Sequence, residues 1–92
     1  MTLNETYKKV CEDVLTHPSL KHEINSAILA LHESATKVWQ AVGNDQKDKI
    51  HPRAAAALIS IFYVMRELGI DDPEECLKKK LEELEEEKPT FI

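Results

Sequence analysis

The chain has 92 residues, enough for one domain, and its 32% charged residues, two glycines and 5% aromatics fit an all-α protein better than a sheet. The formal net charge is −5. Most of the acid excess falls in 82–87 and no basic stripe exists, so neither a nucleic-acid backbone nor a membrane is an expected partner.

Asn4 is the expected N-cap of a first helix over 5–16, in which Tyr7, Val10, Cys11, Val14 and Leu15 fall on one stripe. His17-Pro18 ends it, because the residue before proline is pushed out of helical geometry. Ser19 is the expected cap of a second helix over 20–42, with Gly43 as its stop. Its expected core stripe is Ile24, Ile28, Leu31, Ala35, Val38 and Val42, widened by Leu29 and Trp39. The next ten residues, GNDQKDKIHP, read as a polar loop.

A third helix is expected over 53–68, stopped by Gly69, with Arg66 placed favourably near the negative end of the helix dipole. From Ala54 to Met65 only Ser60 is not apolar, which predicts a helix enclosed by protein on all sides. A chain this small can hardly enclose such a helix alone. Ala54 to Ala57 also offer a smooth surface for close approach, so a homodimer, or a dimer of dimers, is expected. Asp71 or Asp72 then caps a fourth helix, with Pro73 at its first position and a narrow seam of Leu77, Leu81 and Leu84. The predicted architecture is four helices, with a long antiparallel hairpin of 20–42 against 53–68, completed as a bundle by a second copy.

Few residues suggest chemistry. His32, Thr36 and Trp39 share a face of the second helix, with Glu33 and Lys37 as an i, i+4 pair beside it. His22 and His51 fall at opposite ends of the predicted hairpin, which excludes a joint metal site within one copy. Asp45, Asp48 and His51 share the loop, without the spacing of a defined Ca²⁺ site. Two glycines leave no phosphate-cradling loop, and no nucleophile elbow or zinc-type cluster is present. Cys11 and Cys76 lie far apart and are expected to be reduced. Residues 1–15 carry charge throughout and contain no apolar core, so a cytoplasmic protein is expected.

The passage Glu67-Leu68-Gly69-Ile70-Asp71-Asp72-Pro73-Glu74-Glu75, with Lys80-Leu81 later, resembles the all-α nucleoside triphosphate pyrophosphohydrolases, the superfamily of the MazG-like enzymes. The resemblance covers about residues 20–88 and implies the four-helix fold and the dimer. It also implies Mg²⁺, held by acidic residues in Glu-Glu-x-x-Glu on the second helix and Glu-x-x-Asp on the third, activating a water against a triphosphate. Here His32-Glu33-Ser34-Ala35-Thr36 stands at the first motif, so Glu33 is its one metal-type residue. The second motif falls on about Arg53 and Ala56, and Arg53 puts positive charge where a metal ligand belongs.

The resemblance therefore implies a pyrophosphohydrolase-like protein with weak or lost activity. Its residual site would be His32, Glu33, Thr36 and Lys37, with Arg53 and Lys80 contacting a nucleotide or other phosphorylated small molecule. The alternative expectation is a small helical dimeric interaction or scaffold protein without a small-molecule site. Convergence of His32 and Glu33 in a cleft beside Arg53 distinguishes the first from the second.

Overall fold

The structure, a computed structural model, describes residues 1–86. Four helices follow in order, α1 (Leu3–Asp13), α2 (Ile24–Gly43), α3 (Lys47–Glu67) and α4 (Pro73–Glu86), and no strand occurs among the described residues. The tail KPTFI lies outside the described residues. None of these helices is long and apolar enough to cross a membrane.

α1 begins two residues earlier than expected. Thr2, not Asn4, is its N-cap: Thr2 Oγ1 accepts from the Glu5 amide at 3.1 Å, and Glu5 Oε1 accepts from the Thr2 amide at 3.1 Å. This reciprocal pair satisfies two amides that a helix start leaves bare. Asn4 is instead spent on α4. Its Oδ1 accepts from the Glu74 amide at 3.0 Å and its Nδ2 donates to Asp72 Oδ1 at 2.8 Å. Asp72 also accepts from the Glu75 amide at 3.1 Å, as an N-cap should, so two side chains from distant parts of the chain cap one helix. Pro73 behind them is fully buried.

α2 begins at Ile24, four residues after the expected start. Residues 14–23 form a connector laid on α3. The Leu15 carbonyl accepts from Arg66 Nη1 at 2.5 Å, and the Lys21 carbonyl accepts from the Tyr63 hydroxyl. Ser19 is held in a local turn, its amide donating to His17 Nδ1 at 3.1 Å, and caps nothing. Backbone carbonyls claimed by side chains of α3 are drawn away from a continuous helix.

The expected ten-residue loop is only Asn44 to Gln46. α2 runs through Gly43, and the left-handed residue that ends it is Asp45, at φ 52°. The Gln46 amide reaches the Ala41 carbonyl (2.9 Å) and the Asp45 amide reaches the Val42 carbonyl (3.2 Å), the paired bonds of a Schellman turn. α3 then starts six residues before the expected position and contains Pro52. Pro52 is the sixth residue of α3, past its first turn, so it withholds the amide that would bond the Asp48 carbonyl and its ring crowds that carbonyl. Gly69 ends α3 as expected, at φ 75°, with the same paired bonds to Arg66 and Met65.

α2 and α3 form the main packing unit, with smaller contacts from α1 to α3 and to α4. The face α2 turns to α3 differs from the expected stripe. Ala27 and Ala41 are buried completely, and Ser34 Oγ meets Ser60 Oγ at 2.8 Å between them. Residues 27, 34 and 41 repeat every seven positions and are all small, so the helices approach closely there. Of the expected stripe, Ile28, Ala35 and Val42 are exposed and Leu31 and Val38 are half-buried.

The core gathers Tyr7, Leu15, Phe62 and Tyr63 around Ala27. Tyr7 meets Phe62 edge to face, with centroids 5.3 Å apart. The enclosure expected for α3 is absent in the single chain. Ala54, Ala55 and Ala56 are exposed, Leu58 is 48% exposed and Ile61 38%.

Candidate functional site

α2 carries His32, Glu33, Thr36 and Lys37 on adjacent turns, and all four are exposed. The Thr36 hydroxyl donates to the His32 carbonyl at 2.9 Å, a bond within its own helix that uses its one donor. Glu33 borders a shallow hollow of about 240 Å³, together with Ser19, Lys21, Leu29 and Tyr63.

Arg53, half-buried near the start of α3, is the one member brought onto this group. Its Nη1 donates to the Lys37 carbonyl at 2.9 Å, bracing α3 against α2. A guanidinium bound in this way retains further donors on its rim, but its position is set by a backbone contact. Lys80 does not join them: it lies on α4 and pairs with Glu83 at 3.3 Å. Of the six residues expected to form a site, five therefore lie along the α2–α3 pair. Only Arg53 touches another of them across helices.

The chemistry available to this arrangement is limited. Glu33 is the single carboxylate of the six, and a hard divalent cation needs several oxygens. No cluster of three His, Cys, Asp or Glu side chains that could hold a metal is found among the described residues. The residues present therefore do not fit a Mg²⁺ held by one copy alone. Asp45, Asp48 and His51 are likewise exposed, the first in the left-handed turn and the others on the opening turns of α3.

The structure also builds a buried polar centre at the C-terminal end of α3. The Glu67 side chain is 7% exposed and accepts from Arg66 Nε at 2.7 Å, while His22 Nδ1 stands 3.7 Å away. Arg66 lies over the Tyr63 ring at 5.2 Å. Its Nη1 reaches the connector, and its Nη2 is buried without an acceptor among the described residues. Beside it, the Tyr7 hydroxyl donates to the Ile70 carbonyl at 2.5 Å. Burial, with the nearby Cys11 thiol, pushes the Tyr7 hydroxyl up to about 12, and burial raises the Cys11 thiol too. A thiol raised in this way is a poor nucleophile.

This centre joins α1, the connector and α3, and apart from Arg66 Nη2 its hydrogen-bonding groups hold them together. The signal that could have found it is Tyr63, Arg66 and Glu67 at i, i+3 and i+4, closing the apolar stretch of α3 that begins at Ala54. Comparison with family models, with curated proteins and with solved structures finds no match for this chain.

Proposed function

We propose that this protein is a small helical interaction protein that works as a homodimer, each copy built on a long antiparallel hairpin of α2 and α3. The hairpin is supported by the three-residue turn between the helices and by the order of the pairs across them. Arg53 meets Lys37 and Ser60 meets Ser34, so contacts move down α2 as they move up α3, and Tyr63 then reaches Lys21 in the connector just before α2.

The observation that carries the dimer is surface area. The chain exposes 7100 Å², whereas a compact monomer of 10.5 kDa exposes about 5,400 Å² by the usual scaling. The excess is about twice the ~800 Å² that one partner buries in a standard interface. The Cα radius of gyration, 14.7 Å, is also above the ~12 Å of a compact domain of this length. Sedimentation velocity at micromolar concentration should give a dimer mass. A stable monomer there would refute the reading.

The pyrophosphohydrolase-like reading stands second. It is supported by the passage through Gly69 to the Asp72-Pro73 start of α4, and by Arg53 resting on the Lys37 carbonyl beside the Glu33 face. On that reading a second copy or the substrate supplies the missing oxygens for Mg²⁺. Calorimetric titration with nucleoside triphosphates, with and without Mg²⁺, separates the two. Binding that requires Mg²⁺ and is lost in Glu33→Gln selects the second reading. No heat with any nucleotide selects the first.

A further inference from the structure

We propose that the second copy docks on one defined surface, the open face shared by α2 and α3, and completes a four-helix bundle there; this rests on the homodimer reading. On α2 the face consists of Ile28, Leu31, Ala35, Val38 and Val42, at alternating spacings of three and four. On α3, Ala54, Leu58, Ile61 and Met65 continue the same rhythm with Leu68. Spacings of this kind are those of seams that interlock with another helix at about 20°. Ile28 is 41% exposed, Val42 59% and Leu58 48%, so both seams stay partly open, although Met65 packs against the core and Leu58 and Ile61 border an apolar hollow with Leu3, Pro73 and Leu77.

The two seams lie on the same side of the pair. Ser34 and Ser60 touch and mark the line of contact between the helices. At about 100° per residue, positions 28, 35 and 42 lie about 80–120° around α2 from Ser34. Positions 54, 58, 61 and 65 lie about 100–160° around α3 from Ser60, in the same rotational sense. On two antiparallel helices the same sense means the same side. The opposite side of α3 is taken by α1 and the connector, through Phe62 and Tyr63.

Charge and size select a second copy as the occupant. In a chain that is 32% charged, the face carries no Asp, Glu, Lys or Arg along either seam, and the flanking His32, Trp39, Ala57 and Val64 add none. A partner of opposite charge would find nothing to pair with. A copy of this acidic chain, with net charge −5, meets an apolar surface where its own repulsion is least. Two helices about 30 Å long and about 10 Å wide present about 600 Å² per copy. Both copies together then clear the ~1,000 Å² that a specific interface needs. A two-fold axis makes such a surface self-complementary.

The test is sedimentation velocity on the full chain and three variants, with helix content followed by far-ultraviolet circular dichroism. Ala35→Glu and Leu58→Glu put a charge into each seam and should weaken association by on the order of 30-fold or more. Leu81→Glu on α4 lies off the face and should leave the dimer intact. Ala35 is exposed in the single chain, so its variant keeps its helix content and decides the case even if Leu58→Glu unfolds. A dimer that survives Ala35→Glu, or one broken only by Leu81→Glu, overturns this face and leaves the homodimer standing. A wild-type monomer overturns both.

Discussion

Asn4 Nδ2 donates to Asp72 Oδ1 at 2.8 Å, joining the first turn of α1 to the first residue before α4 across 68 positions of sequence. The contact is part of a shared cap, since Asn4 also accepts from the Glu74 amide and Asp72 from the Glu75 amide. α4 has little else to hold it. Pro73 is buried, but Leu77 and Leu81 are half open to solvent and most of the helix is exposed.

That cap gives α4 a pH dependence of known sign. The bond from Asn4, and then the one from the Glu75 amide, hold the Asp72 carboxyl below the usual carboxylate range. A depressed pKa means the folded state binds the proton less readily than the unfolded state. The stabilisation is therefore present above the unfolded value near 4 and lost as pH falls through the folded value. Asn4→Ala should raise the Asp72 pKa toward its ordinary value and speed amide exchange in the first turns of α4, leaving α2 and α3 unchanged. Carbon-detected NMR titration with hydrogen exchange reads both.

Tyr7 provides the opposite case. Its hydroxyl is pushed up to about 12 by burial, with a further contribution from Cys11. A raised pKa means that stability is complete below the unfolded value near 10 and declines as pH rises from there through about 12. Urea unfolding midpoints should fall across this window in the native chain and fall less in Tyr7→Phe. A variant that lost as much stability as the native chain between those values would show that another group governs the alkaline transition. The same variant should be less stable near neutral pH by about 1 kcal/mol, for loss of the bond to the Ile70 carbonyl.

The small residues between α2 and α3 predict a strong response to added volume. Ala41 has no exposed surface. Ala41→Leu should cost about 1–3 kcal/mol, because the helices must separate or the side chain must leave its rotamer. Ala55→Leu, exposed on α3 and outside both seams, should cost little. Equal effects in urea denaturation would mean that the close approach does not determine how α2 packs on α3.

The separation of these two alanines marks where sequence reading reached its end. Helical class, the number of helices, the stop at Gly69 and the start at Asp72-Pro73 are local matters. They depend on propensity, on φ freedom and on a side chain capping amides two or three residues away, and all can be read from adjacent letters. The Thr2-to-Glu5 capping box was equally local, although Asn4 was the residue expected there. The start of α2 was not legible, because it depends on Tyr63 and Arg66 capturing carbonyls 42 and 51 positions earlier.

The apolar periodicity of α2 established that Ile28, Leu31, Ala35, Val38 and Val42 form a stripe. It did not say which neighbour the stripe meets. In the folded chain, small residues at 27, 34 and 41 take the place against α3, since only small side chains permit that approach, and the larger stripe is left open. The residues expected to bind a phosphorylated ligand followed the same rule. Their order along the helices was visible in the sequence. That Arg53 would turn to the Lys37 carbonyl, and Lys80 to Glu83, was decided by tertiary packing, because a side chain's partner depends on which helices meet and at what distance.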